Sequence, residues 1–381
     1  MNKRAIAILG AIFILIVGTL GFLIYSRSKS KNTATETNTN TNTTPVAPVE
    51  ETPAVQPEPE AAPAQALRLT DDPVISPILF YTGAGISYFN SQGQLFQTDL
   101  DVKNATALLS NKRELSIALK AGISKIIWPP AGNSFIAQTG TATKPSWSYY
   151  DSTKAAYSDL PSQVYSIDWL PSGDKVVLVW VDANGKASLQ YANPDASGYQ
   201  TLTTFYQSDN LISVSPDGKN VLFYRNQTAD NTKNTINMVS TDGKNFSAVV
   251  KDGYNFGVQW SPDSKKFLFT KRDSGTQKFA LWVADLATGD VRNLGVFTSQ
   301  TKAVWSKDSS IVYAGVPTTG VAGQGLTQDT IQKITISSGQ LQELAPGVAV
   351  DVEDLFLSSD ESVLFFRNAQ DNALYYIPTS K

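Results

Sequence analysis

The chain has 381 residues, 41% of them hydrophobic, and a formal net charge of −3, which is enough apolar material for a sizeable core. It contains neither Cys nor His, which excludes disulfides, thiolate chemistry, Cys-ligated zinc and a Ser-His-Asp triad. The acidic balance argues against a nucleic-acid binder, which would need a basic face, and the missing imidazole leads to the expectation of a protein that is not an enzyme, with no catalytic residue, cofactor or metal site.

Residues 1–4, Met-Asn-Lys-Arg, are expected on the cytoplasmic side. Ala5 to Tyr25 form an uncharged run of 21 residues, about 31 Å as a helix, which matches the hydrocarbon thickness of a bilayer. A cleaved secretory signal has a shorter core and a small-x-small cleavage site, and Phe22-Leu23-Ile24-Tyr25-Ser26-Arg27 offers none. The expectation is therefore a signal anchor spanning residues 5–25, with the rest of the chain outside the cytoplasm. Residues 26–65 are a polar run, Asn38 to Thr44, followed by a stretch carrying Pro45, Pro48, Pro53, Pro57, Pro59 and Pro63. Such a composition cannot bury enough apolar surface to offset its ordering entropy, and predicts a disordered linker.

From Ala66 to Lys381 the pattern is β throughout, and one unit recurs. Trp260 closes an extended segment, Ser261-Pro262-Asp263-Ser264-Lys265 turns, and Phe267-Leu268-Phe269 resumes as a buried strand. Pro presets φ for such a turn and Asp accepts a backbone hydrogen bond two residues on. Aligned copies anchor on Phe80, Trp128, Trp169, Val214, Trp260, Trp305 and Leu357. A second hairpin follows in most copies, as in Leu281 to Asp285 turning into Val291 to Leu294. Four antiparallel strands in about 45 residues is the size of a propeller blade. The last copy lacks its fourth strand, and Ala66 to Thr70 looks like an orphan outer strand able to close the ring. The fold class is thus an all-β, seven-bladed β-propeller, with six blades left open if the first copy is degenerate.

The Trp-Ser-Pro-Asp-(Gly/Ser)-Lys turn before an apolar strand resembles the repeat of TolB-like, WD-like propellers over residues 66–381. That resemblance implies an extracytoplasmic protein-binding module. The Trp anchors are read as wedges between blades, and Asp217, Asp263, Asp308 and Asp360 as local turn acceptors rather than a calcium ring.

Departures from the repeat are where binding is sought. Trp147, Tyr149 and Tyr150, within Lys144 to Tyr150, are candidates for stacking on a sugar or anchoring a protein. Val316 to Gln328 and Arg225 to Asn231 read as loops. The functional expectation is a noncatalytic, membrane-anchored propeller that recognises a protein or cell-envelope polymer. The alternatives are a carboxylate-dependent glycan-active enzyme working in the channel and a structural subunit of an envelope assembly.

Overall fold

The computed structural model describes residues 65–379, except 81, 104–107, 142–143, 206, 226–232 and 274. The expected N-terminal tail at 1–4, the span at 5–25 and all of the linker but Gln65 lie outside the described residues. Among the described residues no helix is long and apolar enough to cross a membrane.

The strands form seven sheets of four. Blade 1 holds Ile75–Leu79, Gly85–Phe89, Leu95–Leu100 and Leu109–Leu115, from the axis outward. Blade 2 holds Lys125–Ile127, Phe135–Thr141, Lys144–Asp151 and Ala156–Asp159, and blade 3 holds Val164–Trp169, Val176–Val181, Ala187–Ala192 and Gln200–Phe205. Blade 4 comprises Asn210–Val214, Asn220–Arg225, Asn234–Ser240 and Phe246–Gly253, and blade 5 comprises Gly257–Trp260, Lys266–Arg272, Phe279–Asp285 and Val291–Asn293. Blade 6 comprises Ala303–Trp305, Ile311–Thr319, Gln328–Thr335 and Leu341–Val350.

Blade 7 takes Val352–Leu357, Val363–Asn368 and Leu374–Pro378 from the end of the chain, and Leu67–Arg68 from its beginning. Leu67 pairs with Tyr376 and Arg68 with Tyr375, and the Leu374 N–H donates to Thr70 Oγ1 at 3.0 Å. The ring is closed by both ends of the propeller, as the orphan strand predicts, and an otherwise open edge is paired.

The core lies between blades. Val176 to Val179, Phe267 to Phe269 and Val363 to Phe366 are buried at every position, because a second strand is covered on both faces by neighbouring blades. Outer strands are mostly exposed. That of blade 1, Leu109–Leu115, reads Leu-Ser-Asn-Lys-Arg-Glu-Leu.

The recurring turn is held by a fixed bond set. Ser261 Oγ donates to Asp263 Oδ1 at 2.7 Å, while the Lys265 and Lys266 N–H groups donate to Asp263 Oδ1 and Ser261 Oγ. Ser215 with Asp217, Ser306 with Asp308 and Ser358 with Asp360 repeat the Ser-to-Asp bond. Hydrogen bonds from Ser306 and Ser310 hold the Asp308 carboxyl below its ordinary value, as those from Ser358 and Ser362 do for Asp360. The four Trp anchors each donate their indole N–H to the inner strand of the preceding blade: Trp128 to Ser76 O, Trp169 to Ile127 O, Trp260 to Ser213 O and Trp305 to Gln259 O. They are wedges with a polar handle.

Ser264 and Ser309 stand at φ +59° and +61°, where Gly218 sits at φ +70° in blade 4. A left-handed residue favours Gly. Here each Ser hydroxyl instead accepts from the preceding blade's turn, Ser264 Oγ from Asp217 N at 2.9 Å and Ser309 Oγ from Asp263 N at 3.2 Å. The serine ties one blade to the next.

Blade 1 departs from its expected register. The Phe80 N–H donates to Gly85 O and the Gly83 N–H to Phe80 O, as Ser261 does to Lys266 O and Ser264 to Ser261 O. Leu79 therefore occupies the Trp place, and Phe80 stands where four other blades have the turn Ser. The expected anchor was one residue late, since no Ser-x-Asp fixes the frame there. The reading of Val316 to Gln328 as one loop is also corrected. Ile311–Thr319 runs on as a strand with a bulge between Pro317 and Thr319, a place where Pro costs no ladder bond.

Candidate functional site

The recurring turns line one end of the channel. At this end a cavity of 710 Å³ is bounded by Phe80, Trp128, Trp169, Asn133 and Asp168, with Pro129, Pro130, Pro171 and Pro216 supplied by the turns. It runs outward along blade 1, where Ser87 and Gln97 line it. These two are cross-strand partners. The corresponding pair is Ile136 with Tyr149 in blade 2 and Leu268 with Val283 in blade 5. A small and a polar side chain at that place leave unfilled the space that apolar pairs take elsewhere.

Phe80 also borders a second recess of 450 Å³, formed with Pro262, Trp305, Lys307 and Glu361 of blades 5 to 7. Its turn thus stands between the two. The substitution of Phe for Ser trades two local hydrogen bonds for an aromatic ring at the channel mouth.

Asp168 lies on the inner strand of blade 3, one residue before its wedge Trp169. Its Oδ1 accepts from Trp169 N at 2.9 Å and its Oδ2 from Val214 N of blade 4 at 2.8 Å. Burial in the cavity wall pushes its carboxyl up to about 6, and the two backbone donors and the charge of Lys125 only partly offset that. A carboxyl poised there exchanges a proton near neutral pH without an imidazole.

A second charged cluster lies between blades 6 and 7. Lys302 is only 1% exposed. Its ammonium donates to Thr327 Oγ1 at 2.9 Å, to Asp329 Oδ2 at 2.8 Å and to Asp351 Oδ1, with Glu353 Oε1 3.9 Å away. Asp329 also accepts from Val352 N, and Asp351 from Thr327 N. Burial works against the lysine's charge, but the bonds to Asp329 and Asp351 outweigh it and raise its pKa. Burial likewise raises Glu353. Sequence reading missed this cluster, because Lys302 lies 27 residues from Asp329 and 49 from Asp351 and charges so spaced read as surface.

Of the aromatic candidates, Trp147 and Tyr150 are buried and Tyr149 is half-buried. Trp147 donates its indole N–H to Tyr165 O of blade 3 at 3.3 Å. Tyr150 stacks on Phe135 with ring centroids 4.8 Å apart, and Tyr149 meets Trp169 edge-on. All three sit on the third strand of blade 2, whose rings fill the spaces within and beside the blade.

No protein-family model matches the chain, and no curated protein matches it either. Its likenesses are to solved structures and show the fold. It is similar to an oligogalacturonate lyase in complex with manganese at TM-score 0.60 and 14% identity, covering 84% of this chain and 95% of that one. It is also similar to the β-propeller domain of Cps50 (Swd1) from Myceliophthora thermophila, at TM-score 0.56 and 9% identity over 83% and 100% of the chains. TolB from Acinetobacter baumannii matches at TM-score 0.42 and 15% identity over 78% and 79%. The chain is a β-propeller built from recurring blades.

The first of these likenesses corrects the expectation that the protein is not an enzyme. A propeller of the same fold carries lyase activity, and catalytic capacity resides in side chains placed on a scaffold rather than in the scaffold. Missing His and Cys therefore do not exclude an enzyme. Among the described residues no group of three or more metal-ligating side chains is arranged to hold an ion, and Asp329, Asp351 and Glu353 converge instead on the Lys302 ammonium.

Proposed function

We propose that the chain is a recognition propeller that binds an extended segment of a partner protein in the cavity at the turn end of its channel, held outside the cytoplasm on a membrane anchor at residues 5–25. The observation that carries the reading is the 710 Å³ cavity walled by Phe80, Trp128, Trp169 and turn prolines. Its size suits a few side chains of a ligand, and an apolar wall with a few polar groups is the usual form of a binding site.

Phe80→Ser tests it. That variant installs the residue other blades carry at this place, so the fold should keep its melting temperature while capture of partners is lost. Crosslinking in membranes with the wild type and the variant, followed by identification of what differs, reads the outcome. Equal capture by both would sink the proposal. For placement, externally added protease should cut linker residues 26–65 in intact cells; cleavage only after the membrane is breached refutes export.

A second reading rests on Asp168. A carboxyl held at about 6 in an open cavity suits proton abstraction from a glycan, and a single carboxylate in the lining fits elimination better than hydrolysis, which needs two. Ultraviolet-absorbing unsaturated products from oligogalacturonate, abolished by Asp168→Asn, would support it. Their absence across envelope glycans would dismiss it.

A further inference from the structure

We propose that Asp168 makes this cavity a receptor for a basic side chain, so that the segment bound is a peptide presenting a lysine or arginine among apolar residues. The inference rests on the recognition reading above and adds the chemistry of what is recognised.

Among the described residues that line the cavity, Asp168 is the one charged side chain. Two of its lone pairs are occupied by the N–H groups of Trp169 and Val214. A carboxylate has about four acceptor sites, so it retains capacity for a further donor. Its side chain is partly open to the cavity. The cation acting on it is Lys125, on the inner strand of blade 2, which is exposed and therefore screened by water. Among the described residues the buried aspartates are matched by a cation: Asp329 and Asp351 hold Lys302. Asp168 is matched only when something enters the cavity.

The surrounding surface suits the same guest. Trp128, Trp169 and Phe80 border the space, and aromatic rings attract a cation as well as its methylene stem. Asn133 can accept from the remaining ammonium or guanidinium hydrogens, while the Gln97 oxygen already accepts from Arg113 at 3.2 Å. An anionic guest would meet an unpaired carboxylate in a partly desolvated wall, which is costly. A neutral guest would leave the carboxylate uncompensated.

The test is selection of phage-displayed random heptapeptides on the immobilised full chain, repeated with Asp168→Asn and with Phe80→Ser. The expected result is enrichment of sequences carrying Lys or Arg beside apolar residues, with basic residues no longer enriched on Asp168→Asn. Calorimetry on one enriched peptide and its norleucine counterpart should then show a loss of about tenfold or more in affinity, as a charge-assisted bond implies. Enrichment of apolar sequences without a basic residue, unchanged on Asp168→Asn but lost on Phe80→Ser, overturns this inference and leaves the recognition reading standing. No enrichment on the wild type overturns both. Circular dichroism melts of the two variants at pH 8 separate loss of a ligand contact from loss of the fold.

Discussion

Asp168→Asn removes a charge that the propeller buries without a described counter-ion, and the effect on stability must depend on pH. In the folded chain the carboxyl sits at about 6, against 3.8 for an ordinary aspartate. The folded state therefore keeps a proton over a range in which the unfolded chain has lost it. Stability from this group is greatest in acid and is lost as pH rises from about 4 through about 6. Linkage gives a weakening of about 2 kcal/mol between pH 4 and pH 8. The asparagine variant lacks that dependence. It pays a separate, pH-independent cost of about 1–3 kcal/mol, since its amide cannot accept from both Trp169 N and Val214 N and one buried donor is left unmet. The variant should thus be clearly weaker than the wild type at pH 4, and the gap should close by about 2 kcal/mol at pH 8. Urea unfolding of both proteins across this range measures it, because every other titrating group is common to the two and cancels. A gap that stays constant with pH would show that Asp168 is not displaced, and a gap that widens with pH would mean its pKa is lowered.

Two other perturbations probe the joints between blades. Lys302→Met leaves Asp329 and Asp351 buried without their cation, and breaking such a pair costs about 3–5 kcal/mol; the triple variant that also carries Asp329→Asn and Asp351→Asn should recover much of this in urea unfolding, and no recovery would mean the lysine acts through packing alone. At the left-handed turn position, Ser264→Ala keeps the strain and loses the bond from Asp217 N, an expected loss of about 1 kcal/mol. Ser264→Gly loses the same bond but relieves the backbone, so it should lie near the wild type; equal destabilisation by both would show that the hydroxyl carries the whole effect.

The scaffold was legible because its signals are local and repeated. A Ser, a Pro and an Asp at fixed offsets make one turn, and the apolar run after it is buried on both faces wherever it recurs. Pairing of residues 67 and 68 with 375 and 376 followed from a count of strands, although about 300 residues separate them. Outer strands were harder to read. Leu109–Leu115 exposes most of its length, so hydrophobic alternation does not mark it. The Trp147 to Tyr150 stretch looked like a departure from the repeat because it is rich in aromatics. Aromatic richness does not separate a surface patch from a strand wedged between blades, and the burial of Trp147 and Tyr150 comes from blade-to-blade packing that only the assembled ring supplies.

The interruption that matters for the cavity was visible in another form. Blade 1 lacks the Ser-x-Asp turn, carries Phe80 in the place of that Ser, and has Ser87 opposite Gln97 where blades 2 and 5 place Ile136 opposite Tyr149 and Leu268 opposite Val283. Each substitution costs the blade something: two turn hydrogen bonds in the first case, core volume in the second. Four other blades keep the turn Ser and its bond to Asp, so the fold can make that contact. The losses fall together on one side of one cavity, and they leave an aromatic ring, two polar side chains and the Asp168 carboxylate facing the same space. Scattered tolerance of surface change would not concentrate that way. The local rule is broken where a guest would sit, which is the pattern expected when stability is given up for a site.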